Sequence, residues 1–261
     1  MSFQRLRLVV GSFLLFSCAF SFADELVTLP TRTGVTSSYW WMPRDNAKAN
    51  LILLSGGSGG IGYRNGTPQS NNFLVRSRDH FATGNPDGVF NVALLGNASD
   101  MRQLDPALRV RSEHLQDIAA VVAHIRARNN APIWLIGTSQ GTISAAAAGI
   151  DLGEKISGLV LSAAYTAFKT STSVPKQSID KIKVPVLVVF HENDSCRVTR
   201  PDEAKYIMDK LNNASVKKLL LVTGGQGPSG DECEALHWHG FINAEAAASN
   251  VITSWVLKPS P

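Results

Sequence analysis

Ser139 is the residue whose type and setting could do chemistry. Gly137-Thr138-Ser139-Gln140-Gly141 reads G-x-S-x-G, after the apolar residues 132–136 and before the small residues 142–148. A buried strand, a tight turn and a closely packed helix would give that order. In such a turn the serine hydroxyl is lifted clear of the backbone, and the flanking glycines avoid a clash. A serine hydroxyl is a weak nucleophile. It needs a base for its proton, an acid to orient the base, and N–H donors for the oxyanion that forms.

Those partners must be held by other elements, at the ends of strands. Residues 51–54 and 88–95 are strand candidates, as are 156–163, 184–190 and 217–222. Short β-prone stretches at 27–35 and 37–42 precede them. Continuous apolar runs such as Leu51-Ile52-Leu53-Leu54 suit strands buried on both faces. Helices are expected near 71–81, from Glu113 with Ser112 as cap, from Pro201, and from Phe241 to Leu257. Strands alternating with helices predict an α/β domain with a mainly parallel sheet covered on both faces. Residues 164–183 carry no strong amphipathic pattern, so no large lid is expected.

In an open α/β sheet, reacting groups gather at the carboxyl ends of the strands. After 184–190 comes His191-Glu192-Asn193-Asp194-Ser195-Cys196, which offers Asp194 as the acid, with Glu192 second. Asp100 stands on an earlier strand end. After the last strand comes His237-Trp238-His239-Gly240, which offers His239 as the base, with His237 as runner-up. Gly240 favours His239, since a glycine there lets the backbone bend close to the serine. The Gln140 N–H follows the nucleophile at a helix start and suits an oxyanion. The glycine-rich loop after 51–54 supplies a second N–H, Gly57 first and Ser58 second.

Composition bounds the alternatives. The chain has 261 residues, 44% hydrophobic and 18% charged, which suits one globular domain. Its formal charge is +4; without Arg5 and Arg7 the balance is 23 basic against 21 acidic residues, or +2. That excess, with no basic cluster interleaved with aromatics, gives no reason to expect nucleic acid. Residues 1–23 read as an export signal: Arg5 and Arg7, an apolar run over 8–20, then Ser21-Phe22-Ala23. The run is shorter than the roughly 20 residues of a membrane span, so no stable membrane insertion is expected. Cys18 loosely fits a lipid-attachment motif, against which the bulky Phe16 counts. The expected mature domain is 24–261, periplasmic or secreted. Cys196 and Cys233 then remain, a candidate disulfide in an oxidising compartment.

Two rival motifs are present. Gly57-Ser58-Gly59-Gly60-Ile61-Gly62 satisfies G-x-G-x-x-G, but Asn65-Gly66-Thr67-Pro68 does not open a helix and the next strand ends without an acid. His237, His239 and Glu234 have metal-ligand types, yet the serine pattern accounts better for His239. No metal or organic cofactor is expected. Asn65, Asn97 and Asn213 start N-x-S/T sequons, to which no role is assigned.

With the order Ser139, Asp194, His239, the chain resembles the α/β-hydrolase superfamily. The resemblance spans nearly all of 24–261. It implies Ser139 as nucleophile, His239 as general base, Asp194 as orienting acid, and Gln140 plus Gly57 as oxyanion donors. The oxyanion loop departs from the common His-Gly pattern, with Ser55-Gly56 in its place. The stretches Thr31-Arg32-Thr33-Gly34, His191-Glu192-Asn193-Asp194-Ser195-Cys196 and His239-Gly240-Phe241 are similar to those of small exported bacterial hydrolases. The expected activity is hydrolysis of a small-molecule carboxylic ester. Amide, peptide or thioester cleavage by the same triad, and a non-catalytic binding protein on the same fold, are the alternatives.

Overall fold

The computed structural model describes residues 23–261. Positions 1–22, with Cys18 and nearly all of the expected export signal, lie outside the described residues. The elements run β1 (Glu25–Arg32), β2 (Val35–Met42), β3 (Asn50–Leu54), the small hairpin β4 (Tyr63–Arg64) and β5 (Thr67–Pro68), α1 (Phe73–Arg76), α2 (Arg78–Thr83) and β6 (Asn91–Leu95). They continue with α3 (Ser112–Arg128), β7 (Ile133–Thr138), α4 (Gly141–Leu152), β8 (Gly158–Ser162), β9 (Val186–His191), α5 (Ala204–Lys210), β10 (Lys217–Val222) and α6 (Glu245–Leu257).

One eight-stranded sheet has the order β1-β2-β6-β3-β7-β8-β9-β10. β2 pairs antiparallel with both of its neighbours, and the strands from β6 to β10 pair in parallel. The apolar runs divide by their period of two. In β3, Ile52 and Leu54 join a core with Ile118 and Val121 of α3, Ala145 of α4 and Ile207 of α5. Leu51 and Leu53 join the opposite core with Phe73, Phe81 and, from α6, Ala248, Ile252 and Trp255. Both faces are therefore covered, as the continuous runs require.

The connections set the site. From β3 the chain moves to β6 on one side; from β6 it returns through α3 to β7 on the other. The loops after β3 and β7 thus leave adjacent strands, with Leu54 paired to Gly137, at the point where the winding direction reverses. That is where an open α/β sheet opens a crevice. Residues 164–183 make two single 3₁₀ turns, Val174–Lys176 and Ile179–Lys181, whose Val174, Pro175 and Ile179 are buried. They do not form a lid domain. Among the described residues, no helix is long and apolar enough to cross a membrane.

Several boundaries differ from expectation. The closing helix starts at Glu245 rather than Phe241, because Phe241 and Asn243 have φ of 57° and 55°. Two left-handed residues cannot lie inside a right-handed helix. Phe241 instead packs its ring 4.7 Å from that of Phe73. Ser112 lies inside α3 and its hydroxyl bonds Glu113, while Arg111 takes the cap position without a side-chain bond. The helix expected over 71–81 is two short helices meeting at Ser77.

Candidate active site

Ser139 sits between β7 and α4 with φ of 51°, a left-handed conformation rare for a side-chain-bearing residue. The surroundings hold it there. Its N–H bonds the Ser162 carbonyl on β8 at 3.1 Å, and its carbonyl accepts from the Thr142 amide at 2.9 Å. A Cβ on Gly137 would lie 2.5 Å from the Gly141 carbonyl oxygen, and one on Gly141 would collide with the Leu54 carbonyl. Both motif glycines are therefore needed for close approach of backbones, in addition to any freedom of φ.

Asp194 and His239 meet at the ends of β9 and β10. His239 Nδ1 lies 3.2 Å from Asp194 Oδ2, with the two residues 6% and 5% exposed. The other carboxylate oxygen accepts the Cys196 amide at 3.0 Å. A third partner, Thr199, had no sequence signal. Its hydroxyl donates to Asp194 Oδ2 at 3.1 Å and lies 3.0 Å from His239 Nδ1. A carboxylate can only accept, and the Thr199 proton is directed to it. The proton on the ring must then sit on Nδ1, leaving Nε2 able to take one.

Ser139 and His239 line one cleft of about 400 Å³, with Gly56, Gly57, Ser58, Asn72, Gln140, Tyr165 and Glu234. The two side chains do not hydrogen-bond directly, a separation that a bound substrate commonly closes. Among the described residues, neither the Gly57 nor the Gln140 N–H has an acceptor. A Cβ on Gly56 would approach Ser139 Cβ to 2.9 Å, so the glycine loop lies directly against the serine.

The loops are braced. Cys196 and Cys233 are joined by a disulfide that links the loop after β9 to the loop after β10. Arg76 pairs with Glu245 at 2.9 Å and donates to the Gly240 carbonyl, next to His239. Gly240 matters for a different approach from the expected one: a Cβ there would strike the Ala235 carbonyl.

The other candidates lie elsewhere. Glu192 is exposed. Asp100 pairs with Arg32 at 2.7 Å, an interaction that holds its carboxyl below the usual range. The His237 ring packs against Trp238, and its Nδ1 is buried without a partner. His191 does not line the cleft: it is buried, stacked on Trp238, and bonded through Nε2 to the Gly224 carbonyl at 2.7 Å. The segment after Gly62 forms the β4–β5 hairpin, not a helix that could open on a dinucleotide. Among the described residues, the one cluster of metal-ligand types is Asp194, Cys196 and His239. The Cys196 sulfur is already committed to the disulfide.

No family profile matches the chain, and no curated protein matches it in sequence. Solved structures do match it in shape. An esterase from Pyrococcus furiosus is 14% identical, covering 95% of each chain, with a TM-score of 0.63. A Xanthomonas campestris protein described as an α/β serine hydrolase without a lid is 15% identical, covering 93% of this chain and 99% of that one, with a TM-score of 0.61. An α/β serine hydrolase homologue from Coxiella burnetii is 14% identical, covering 90% and 99%, with a TM-score of 0.59. The chain has the α/β-hydrolase fold.

In this α/β-hydrolase fold, a second buried histidine, besides His191, stands outside the cleft. His114 on α3 lies 2.9 Å from Ser144 Oγ. Burial, with the nearby Arg109 charge, pushes its pKa from 6.5 down to about 4. Between those values the unfolded chain binds the extra proton, so stability falls as pH drops from about 6.5 to about 4. The slope from this one group is roughly 1.4 kcal/mol per pH unit. A His114→Gln variant should therefore show a flatter melting-temperature profile than the native protein across that window. Parallel profiles would mean that His114 is not buried in its neutral form.

Proposed function

We infer that the protein is a serine hydrolase that cleaves small carboxylic esters through an acyl-enzyme. The observation that carries this reading is the shared cleft. It holds a strained Ser139, a His239 fixed by Asp194 as the Nδ1 tautomer, and two unpaired amides beside the serine. His239 takes the Ser139 proton as the oxygen attacks the ester carbonyl. The Gly57 and Gln140 N–H groups receive the oxyanion, and Asp194 stabilises the imidazolium. His239 then protonates the leaving alkoxide. Water, deprotonated by the same ring, releases the acid and restores Ser139. The Pyrococcus protein is itself an esterase, which supports ester chemistry here.

The cleft wall supports a polar substrate. Ser58, Ser70, Asn71, Asn72, Gln140 and Glu234 outnumber the apolar Phe73, Tyr165, Val198 and Ala235. A short or hydrophilic acyl group fits such a lining better than a long alkyl chain, whose burial needs apolar contact. Export fits the disulfide, because such bonds persist in oxidising compartments.

A fluorophosphonate probe tests the reading. Native protein should be labelled on Ser139, and Ser139→Ala should take no label. A folded native protein that stays unlabelled would instead favour a binding protein on the same fold. Nitrophenyl esters of graded chain length, run beside amide and thioester substrates, should show fastest turnover on short esters.

A further inference from the structure

Arg109 lies on a one-turn 3₁₀ helix, Leu108–Val110, behind the loop that follows β3. It is 1% exposed, and among the described residues no carboxylate forms an ion pair with it. The carboxylate whose charge acts on it, Asp105, uses Oδ1 to accept the amides of Ala107 and Leu108 at 2.8 Å each. Burying an unpaired guanidinium is costly, and an apolar side chain of similar volume would fill the space more cheaply. The cost implies a specific task for the charge.

Its bonds indicate the task. Nη2 donates to the Gly57 carbonyl at 2.8 Å, and Nη1 donates to Ser144 Oγ at 3.0 Å. Ser144 lies on α4, the helix that opens beside Ser139, and its hydroxyl also meets His114 Nε2. Arg109 therefore ties the glycine loop to the nucleophile's helix. In a trans peptide the C=O and the following N–H point in opposite directions. Holding the Gly57 carbonyl from behind sets the plane of the Gly57–Ser58 peptide, and with it the direction of the Ser58 N–H. The Gly57 N–H, the assigned oxyanion donor, belongs to the preceding peptide, whose Gly56 carbonyl accepts the Gly59 amide at 3.0 Å; Arg109 acts on that donor through the shared Gly57 Cα, by holding the other side of the residue in place.

Side-chain packing cannot do this work. Gly57 has φ of 57°, and a Cβ built on it would meet nothing within 4 Å. With no side chain of its own to pack, that residue relies on its backbone bonds, and the Arg109 bond comes from a buried, charged donor. Such bonds are roughly twice as strong as neutral ones.

We propose that Arg109 is the positioning residue of the oxyanion loop, holding the Gly57–Ser58 peptide from beneath and coupling it through Ser144 to the helix that follows Ser139. The role rests on the serine-hydrolase reading given above. Burial lowers the Arg109 pKa to about 10, so it remains charged at neutral pH. Neutral His114 completes the cluster without adding a second charge.

The test compares Arg109→Met, Arg109→Lys and Ser144→Ala with native protein. It uses steady-state hydrolysis of a short nitrophenyl ester, inhibition by a trifluoromethyl ketone of matching acyl length, and thermal unfolding. Loss of one oxyanion donor typically lowers kcat about 100-fold to 1,000-fold. Arg109→Met should lower kcat by about 100-fold with KM changed less than about 3-fold, and should weaken the ketone in parallel with kcat. Arg109→Lys should recover about 10-fold of that loss, since one ammonium reaches one acceptor without the fork. Ser144→Ala should lower kcat about 5-fold, and it decides the question if Arg109→Met does not fold. Folded variants with kcat and ketone inhibition within about 2-fold of native overturn the proposal. So does a loss of stability with no change in either constant. Fluorophosphonate labelling of native protein separates the two readings. A labelled native enzyme with indifferent variants defeats only the Arg109 role, whereas an unlabelled native protein defeats the hydrolase reading and this role with it.

Discussion

His239→Ala is expected to lower kcat for a nitrophenyl ester by about 10⁴-fold to 10⁶-fold, the scale seen when a serine nucleophile loses its base. The site geometry supplies the reason. Without the ring, Ser139 would lose the base proposed to take its proton, and the Gly57 and Gln140 amides alone could not make it a nucleophile. Asp194→Ala should cost about 10³-fold to 10⁴-fold, because the ring then loses the carboxylate that selects the Nδ1 tautomer. Thr199→Val should cost less, about 10-fold, since Asp194 Oδ2 still reaches Nδ1 at 3.2 Å. Combining Ser139→Ala with His239→Ala should be little worse than either alone, as these groups act as a unit. His237→Ala should leave turnover near native. Activity that survives His239→Ala and vanishes in His237→Ala would reverse the assignment of the base.

The second large effect is expected from the disulfide. Cys196 and Cys233 are separated by 37 positions. The chain-entropy treatment of a closed loop of that size gives about 4 kcal/mol. For a domain of this length each kcal/mol is worth about 2–4 °C. Reduction, or Cys196→Ala with Cys233→Ala, should therefore lower the melting temperature by about 8–16 °C. Activity should fall as well, below the new melting temperature. The Cys196 amide donates to Asp194 Oδ1, and Cys233 lines the cleft beside Glu234. Loosening the bond frees the acid's loop from the base's loop, and a base that is less well oriented loses kcat before it loses KM. A melting temperature and kcat unchanged on full reduction would assign the bond neither role.

Part of this architecture is legible before folding. The G-x-S-x-G pentapeptide between an apolar run and a small-residue run marks a strand–turn–helix junction, because only small residues allow the Leu54 and Gly141 backbones to touch. Leu51-Ile52-Leu53-Leu54 and residues 184–190 lack polar alternation, as expected of strands covered on both faces. The order of Ser139, Asp194 and His239 along the chain follows from the strand ends alone. Local pattern carries that information because the periods of strands and turns are local.

The remainder depends on contacts between residues far apart in the chain. Nothing near Thr199 signals that its hydroxyl bridges Asp194 and His239; that requires the loop after β9 to fold back on itself. Nothing in Pro106-Ala107-Leu108-Arg109-Val110 marks Arg109 as buried; only the packing of its short helix against the glycine loop buries it and directs it to Gly57. The start of α6 falls at Glu245 rather than Phe241, although Phe241 continues an apolar helical pattern. Phe241 is left-handed there, and its ring packs on Phe73, which lies on another element. Sequence by itself determined which residue types could react and which strands would be buried, since hydrophobic period and turn chemistry act over a few neighbours. Tertiary structure decided which base and amides share one cleft with Ser139 and which acid and brace support them from behind it, since charge burial and hydrogen-bond partners are set by segments that meet only when the sheet forms.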